Sequence, residues 1–376
     1  MNWELVSIIT FFSLISLFIL KNRKNLEFRY GIVIKRWKKG KEVIERFARK
    51  RKRFLRIIGD LAIISFFVST FISVYYLVNS LIQKESAFGL VFPSVSGVKY
   101  PKPLIGVPFW YWIIGIFSVI FPHETSHALL ARVEKIKMKD YGIFLFLFFP
   151  LGAFVDIDEK KIKKLGLREK LRIYSIGSFS NFLVAGLVIG IYLLSLGLFS
   201  FFIQTSGVMF ESLAPNSSAE KVNLKGIIKE IDNQTINSVL ELDRFLSTKK
   251  PGDMITVKTT EGTFTLNLTE HPEIKGRGYI GIIGVKNYYV FKFSQKPVPN
   301  FFYNLFSIWI KLISWIGFLN LGVGLANFLP IKPLDGGKIT EELFLAKSKK
   351  YGKKISNFIS FLFLFLLLLT LTTSFS

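Results

Sequence analysis

The sequence predicts an α-helical polytopic membrane protein of about six transmembrane helices with one inserted soluble α/β domain. Three observations support this fold class. Half of the 376 residues are apolar and 40 of them are Phe, which is too hydrophobic a composition for an ordinary soluble domain. Several apolar runs are long enough to cross a hydrocarbon core of about 30 Å. One block between two of these runs has short apolar segments separated by turn residues, a pattern typical of a small soluble domain.

Six apolar stretches define the predicted spans. They lie near Leu5–Leu20, Ile57–Ile82, Val107–Val133, Ile173–Phe202, Phe301–Leu329 and Ile355–Thr372. The first stretch lacks the basic start and the small-residue cleavage site of a signal peptide, so we expect it to be retained. The fifth is overlong and rich in Gly and Asn near its end, which predicts a tilt, a break or more than one helical piece.

Basic residues cluster beside the apolar runs and set the expected orientation. The formal net charge is +24. By the positive-inside rule the basic segments Lys21–Arg56, Glu159–Arg172 and Lys347–Lys354 should face the cytoplasm, which leaves both termini and the soluble block outside. This placement favours membrane lipids as partners, and we expect no nucleic acid. The chain contains no Cys, which excludes disulfides, thiolate zinc sites and cysteine nucleophiles.

The soluble block covers residues 204–296 and alternates short apolar runs with turn dipeptides. Its segments MITVKTT and TFTLNLT alternate with period two and predict a β-hairpin. The segment SVLELDRFLS has helical spacing instead. The block therefore predicts a separate α/β domain of about 80–90 residues, a plausible size for a domain.

Two histidines and a glutamate stand near the end of the third apolar stretch, in the motif HETSH at positions 123–127. Residues four apart share one face of a helix, so His123 and His127 can ligate one metal ion with Glu124 beside them. Two imidazoles on zinc with a carboxylate as general base form a hydrolytic site. The motif also occurs by chance, but ionisable groups at membrane depth are functional candidates by default.

A catalytic zinc usually keeps three protein ligands and one open position. The candidate for the third ligand is Asp335, in the segment NLGVGLANFLPIKPLDGGKI. The charge pattern places Asp335 toward the cytoplasmic side, where it also places His123. The alternative role for Asp335 is a helix N-cap after Pro333. His271 lies in the soluble block, so we do not expect it to be a ligand.

The pairing of HETSH (123–127) with NFLPIKPLDGG (327–337) resembles the site-2 protease family of intramembrane zinc metalloproteases. The segment SIGSFSNFLVAG, which contains Asn181, is similar to the small-residue helix of that family. The soluble block resembles a PDZ domain, a common insertion in the family. Two departures are Ser126, where many members have Gly, and Pro122, which precedes the first histidine. Neither position is a metal ligand.

The resemblance implies that the chain is an enzyme, a zinc metalloendopeptidase that cleaves transmembrane segments of membrane proteins. It implies one Zn²⁺ held by His123, His127 and Asp335, with Glu124 as the catalytic general base. The implied partners are single-span membrane protein substrates and membrane lipids, and no oligomeric state is predicted. The expected location is the cell membrane, with the active site toward the cytoplasmic side and the PDZ-like domain outside.

On this interpretation the chain divides into five parts. Residues 1–100 form an N-terminal transmembrane hairpin with a basic cytoplasmic loop. Residues 101–203 and 297–345 form the two parts of the catalytic membrane core, separated by the PDZ-like domain at 204–296. Residues 346–376 form a C-terminal transmembrane helix.

A helical substrate must unwind before cleavage, and its backbone then needs new hydrogen-bond partners. The segment FLFLFFPLGAFVDIDEKK is apolar and β-prone after Pro150. We predict that Gly152, Ala153 and Phe154 offer a strand edge to the substrate, by β-augmentation. A plain hairpin that packs on the core is the alternative.

Three amides on the predicted core helices are further candidates. Asn327 and Asn181 are predicted to bind the substrate backbone or the reacting carbonyl oxygen. Asn320 and Asn181 could equally join neighbouring helices, at about 1 kcal/mol each.

Two other functions compete with proteolysis. One is a non-proteolytic membrane scaffold with a structural metal site, whose PDZ-like domain holds partners. The other is a transporter that uses His and Asp as an ion relay. A scaffold leaves Glu124 unexplained, and a transporter would be expected to show an inverted repeat. The PDZ-like domain could bind a carboxyl terminus or act as a size filter, and the usual binding loop is not obvious in SGVMFESLAP.

Overall fold

The computed structural model describes residues 3–29, 32–94, 100–146 and 149–373. Its α-helices are α1 (Trp3–Asn22), α2 (Lys38–Lys50), α3 (Lys52–Gln83), α4 (Phe109–Val133), α5 (Glu159–Ile162), α6 (Leu167–Phe202), α7 (Ser218–Lys221), α8 (Val239–Ser247), α9 (Asn300–Asn327), α10 (Asp335–Lys347) and α11 (Gly352–Thr373). Its strands are β1 (Glu27–Arg29), β2 (Ile32–Arg36), β3 (Leu90–Ser94), β4 (Leu104–Pro108), β5 (Met138–Phe146), β6 (Phe149–Ile157), β7 (Ile203–Met209), β8 (Ser212–Leu213), β9 (Ile228–Ile231), β10 (Gln234–Thr235), β11 (Met254–Thr259), β12 (Gly262–Asn267), β13 (Thr269–Glu270), β14 (Gly278–Tyr279), β15 (Ile282–Ile283) and β16 (Lys286–Phe291).

The chain separates into two compact units. The first comprises Met1–Tyr192 and Lys311–Ser376, and the second comprises Leu193–Ile310. The predicted PDZ-like block lies within the second unit. Its resemblance to a PDZ domain and the division of the chain into five parts remain predictions.

Six helices among the described residues are long and apolar enough to cross a membrane: α1, α3, α4, α6, α9 and α11. They match the six predicted stretches, which confirms a polytopic helical membrane protein. Residues such as Phe71, Leu187 and Phe361 are large, apolar and exposed on these helices, and such surface suits lipid rather than water. The fifth span is one unbroken helix that ends at Asn327, and α10 follows it as a separate element.

Three of the membrane helices pack closely within the first unit. Buried Ala62 of α3, Leu130 of α4 and Ile173 of α6 belong to one apolar cluster. In a second cluster the ring of Phe66 packs on that of Phe328, with ring centroids 5.4 Å apart. Because Phe328 directly follows α9, this cluster fixes the segment that leads to α10. The two clusters bring α4, α6 and the start of α10 together.

A four-stranded antiparallel sheet, in the order β1-β2-β5-β6, also belongs to the first unit. The strands β1 and β2 form within the basic segment Lys21–Arg56, where only a loop was predicted. Val33 of β2 is buried with Leu145 of β5, and Ile15 and Ile19 of α1 pack against this pair. The apolar residues between the basic ones thus form a sheet. The strand β6 lies at the edge of this sheet.

The second unit has a sheet in the order β12-β11-β9-β7-β16, with β10 paired to β9. The predicted hairpin is formed by β11 and β12, whose register pairs Met254 with Asn267 and Thr259 with Gly262. The predicted helix is α8, whose Leu242 and Phe245 are buried in the core of the unit. This core is mostly Ile, Leu and Val side chains, and β11 contributes only the buried face of its alternating pattern, as expected for a soluble domain.

Candidate metal centre

The motif HETSH lies on α4, which continues through Pro122. The Nε2 atoms of His123 and His127 lie 3.2 Å apart, as the i, i+4 spacing predicts. His127 is buried and His123 is half-buried. Both imidazoles therefore point to one place inside the first unit.

Asp335 is the first residue of α10 and is buried. Its Oδ2 atom lies 3.3 Å from Nε2 of His123 and 3.3 Å from Nε2 of His127. The two glycines that follow permit this placement. A Cβ at Gly336 would lie 2.4 Å from the carbonyl oxygen of Leu329, and one at Gly337 would lie 2.5 Å from a backbone carbon of Ile331. Only glycine leaves room for the backbone of Leu329 and Ile331 to lie this close to the first turn of α10.

The three atoms form a triangle with edges of 3.2, 3.3 and 3.3 Å. A tetrahedral zinc ion with bonds of about 2.0–2.1 Å keeps its ligand atoms about 3.3 Å apart. Among the described residues this is the group of three His, Cys, Asp or Glu side chains that could hold a metal ion. The donor set and its spacing fit zinc.

The hydrogen bond on the far side of His127 supports the same conclusion. Its Nδ1 atom lies 2.6 Å from the carbonyl oxygen of Ile173, and a carbonyl can only accept, so Nδ1 carries the proton. In the neutral imidazole Nε2 is then an unprotonated acceptor that faces an oxygen of Asp335. A cation between the two acceptors removes this conflict, and such a bond to the outer nitrogen is typical of metal-bound histidine.

Asn181 stands behind the other imidazole. Its side chain is fully buried, its amide nitrogen lies 3.4 Å from Nδ1 of His123, and its Oδ1 atom has no partner among the described residues. When His123 binds a metal through Nε2, its Nδ1 carries a proton. The opposite amide orientation then satisfies Nδ1–H and the unpartnered oxygen at once. Asn181 thus lies where it can orient an imidazole, and its predicted contact with the substrate remains a prediction.

Two neighbours on α6 were not predicted individually. The hydroxyl of Ser178 donates a hydrogen bond of 3.2 Å to Oδ2 of Asp335. Gly177 lies directly over the imidazoles, and a Cβ there would be 2.2 Å from Nε2 of His127. The sequence signal was the run of small residues in SIGSFSNFLVAG. Its spacing alone does not say which residue faces α4.

Glu124 lies with the three candidate ligands in the lining of a cavity of about 430 Å³. Within the described residues it makes no hydrogen bond or ion pair, so its carboxylate is available to a molecule in the cavity. Asn327 also lines this cavity. Asn320 is not among the residues that line this cavity. Its Nδ2 atom donates to Oγ of Ser118 at 3.0 Å and so joins α9 to α4, the role in helix packing that was predicted for it.

The predicted substrate-binding residues Gly152, Ala153 and Phe154 lie in the edge strand β6. The same strand lines the cavity through Val155 and Ile157. Gly152 permits close packing, because a Cβ there would be 2.4 Å from a methyl carbon of Ile120 on α4. Of the predicted segment, residues 147 and 148 lie outside the described residues.

In the second unit, the loop that contains Ile280 and Gly281 was not predicted from the sequence. The carbonyl of Ile280 accepts from the N–H of Ala219 at 3.0 Å and that of Gly281 accepts from Ala214 at 2.8 Å. The N–H groups of Ile280 and Gly281 donate to no acceptor among the described residues. They border a groove of about 140 Å³, whose lining on α8 is Val239, Leu242, Asp243 and Leu246.

Comparison with known proteins places this geometry in a family. The chain matches the profile described as Peptidase family M50 over residues 111–370. An uncharacterized protein of Methanocaldococcus jannaschii is 26% identical over 365 residues, which are 95% of this chain and 90% of that protein. A protein of Fusobacterium nucleatum with the name "Putative zinc metalloprotease" is 21% identical over 311 residues, 65% of this chain and 91% of its own length. The profile match contains both HETSH and the LDGG segment, which confirms the predicted resemblance. The chain belongs to peptidase family M50, the site-2 protease family.

Proposed function

We propose that this chain is an intramembrane zinc metalloprotease that cleaves transmembrane segments of single-span membrane proteins. The observation that supports this most strongly is the triangle of ligand atoms from His123, His127 and Asp335, with Glu124 in the same cavity. Membership of peptidase family M50 supports it independently. So does the zinc metalloprotease name of the Fusobacterium nucleatum relative.

In this proposal His123, His127 and Asp335 hold one zinc ion. When bound, zinc supplies a Lewis acid that lowers the pKa of a water molecule to about 7. The Glu124 carboxylate takes a proton from the attacking water as the oxygen of that water bonds to the scissile carbonyl carbon. Glu124 then delivers the proton to the leaving nitrogen. The Ile173 carbonyl holds one imidazole in the required orientation throughout.

We further propose that β6 receives the unwound substrate as an added strand. As the edge of the four-stranded sheet, β6 has a row of backbone groups without a strand partner among the described residues. An extended peptide that pairs with this edge would replace the helical hydrogen bonds that it loses on unwinding. Val155 and Ile157 place the same strand in the cavity that contains Glu124.

Proline substitutions in β6 test this edge. Successive N–H groups of a strand point to opposite sides, so of Ala153 and Phe154 one faces β5 and the other faces the open edge. We expect the edge-facing proline variant to keep its zinc and its thermal stability and to lose cleavage, because proline removes a donor. Its partner variant should instead lose stability. Full cleavage by both variants would exclude substrate pairing at β6.

The Glu124→Gln variant tests the enzymatic function itself. Glutamine keeps the size of the side chain but cannot accept a proton, so we expect cleavage of a single-span substrate to fall by about 10²–10⁴-fold. Zinc content should equal that of the wild type, because Glu124 is not a ligand in this proposal. Both quantities are measured on purified protein in detergent.

The outcomes separate the competing functions. Loss of cleavage with zinc retained supports the protease. No cleavage by the wild type over a panel of substrates favours the membrane scaffold with a structural metal site. Metal-dependent ion uptake into vesicles, unchanged in the glutamine variant, favours a transporter.

We propose that residues 204–296 lie outside the cytoplasm and act on the substrate as a PDZ-like domain, while the active site lies toward the cytoplasmic side. Among the described residues the N–H groups of Ile280 and Gly281 have no acceptor, and Ile280 lines a groove with Leu242 and Leu246. This arrangement favours capture of a carboxyl terminus over a size filter. Capture requires a free carboxylate at the end of the substrate, whereas a size filter responds only to bulk. Substrates that end in a carboxylate or an amide distinguish the two roles.

A further inference from the structure

Lys338 occupies an unusual place next to the candidate metal centre. It lies in the first turn of α10, where the helix dipole disfavours a positive charge. Its Nζ atom is 4.0 Å from Oδ1 of Asp335, too far for a hydrogen bond. The helix dipole therefore does not stabilise this lysine, and Asp335 is its partner in an ion pair without a hydrogen bond.

The surroundings of Lys338 point to a ligand in the cavity. The side chain lines the cavity that contains Glu124, and it also lines a second cavity of about 660 Å³ that begins beside it. Its Nζ lies 5.8 Å from the ring centroid of Tyr174, which steadies the side chain without neutralising it. Only one oxygen of Asp335, Oδ2, faces the imidazoles. The ammonium therefore stands at the rim of the site, and within the part of the chain that the structure describes its N–H groups donate to no acceptor.

We infer that Lys338 is a catalytic residue that stabilises the negative charge on the scissile carbonyl oxygen, an inference that rests on the proposed proteolysis. As the water oxygen bonds to the carbonyl carbon, the π electrons move onto the carbonyl oxygen, and the water proton moves to Glu124. The resulting oxyanion accepts a hydrogen bond from the Lys338 ammonium. The oxyanion then returns its electron pair to re-form the carbonyl π bond as the C–N bond breaks, and the electron pair of that bond stays on nitrogen, which takes the proton from Glu124. Lys338 remains protonated throughout.

The kinetics of Lys338→Met and Lys338→Arg test this role. Removal of one oxyanion donor lowers kcat by about 100-fold or more, so we expect that loss for Lys338→Met with KM little changed. Arginine also donates to an oxyanion and should restore most of the rate. The matched control is Lys347→Met, which removes the same charge from the exposed last turn of the same helix and should behave like the wild type.

Zinc affinity, measured by competition with a chelator, gives a second readout. Removal of a nearby cation should leave zinc affinity unchanged or increase it. Weaker zinc binding by Lys338→Met would overturn the inference, because Lys338 would then only position Asp335. Wild-type kcat in Lys338→Met would also overturn it and leave the proposed proteolysis intact. An inactive wild type would instead refute the proteolysis on which the inference rests.

Discussion

The Gly177→Ala variant is expected to lose zinc binding and proteolysis while remaining folded. A Cβ at this position would lie 2.2 Å from Nε2 of His127 and 2.8 Å from Nε2 of His123. Contacts this short do not persist in packed interiors, so the imidazoles must leave the positions from which they face Asp335. Changes in outer-shell residues alone cost about 10–100-fold in metal affinity. We expect a loss at or above the upper end of that range, measured by chelator competition.

Gly186→Ala is the matched control. It lies on the same helix, and a Cβ there would meet nothing within 4 Å. Both substitutions gain about 1 kcal/mol of helix propensity, so any difference between them reports contacts rather than propensity. Gly186→Ala should keep zinc and cleavage. Zinc binding of wild-type strength in Gly177→Ala would mean that α6 does not face the histidines at this residue.

The same comparison shows what could be predicted from the sequence. The candidate ligands His123, His127 and Asp335 were found because each belongs to a local motif whose spacing or flanking glycines have a chemical reason. Their convergence followed from charge counts that placed both motifs at one depth. Gly177 and Ser178 were not found, because their role depends on the rotation of α6 about its axis. Helical spacing gives the faces of a helix but not the neighbour that each face meets.

The four-stranded sheet was missed for a different reason. The strand β2 arises from IVIKR, within a segment whose basic residues were interpreted only as an orientation signal. It pairs with β5 through contacts far apart in sequence, such as Val33 with Leu145. Non-local pairing of this kind leaves no periodic signal beyond a short alternation. A strand edge at Gly152, Ala153 and Phe154 was predicted from the β-prone segment alone, but the strands β1 and β2 on the far side of β5 were not.

Arg172→Met should be among the most destabilising single changes in the first unit. Arg172 on α6 donates to both oxygens of Asp60 on α3 at 2.7 Å and to Oε1 of Glu134 at 3.3 Å, and its side chain is only 10% exposed. Glu134 is still more deeply buried. Without Arg172 the buried carboxylate of Glu134 keeps only Arg56, whose side chain is 41% exposed. We therefore expect a large part of the about 3–5 kcal/mol that a buried charge costs when it loses its only partner. We expect a clear fall in the midpoint of thermal unfolding in detergent.

Arg168→Met is a stringent control, because Arg168 donates to the same carboxylate of Asp60 at 3.0 Å but is 68% exposed. Exposed pairs contribute about 1 kcal/mol or less, so this variant should be nearly as stable as the wild type. Arg56 donates to both oxygens of Glu134 at 3.1 and 2.8 Å, so adding Glu134→Gln to Arg172→Met should lower the stability further, because it also weakens this remaining pair. Ile173, which follows Arg172 in α6, accepts the hydrogen bond of His127. Zinc affinity should therefore fall with stability in Arg172→Met and remain unchanged in Arg168→Met. Equal stability of the two single variants would show that α3, α4 and α6 stay together without these charges.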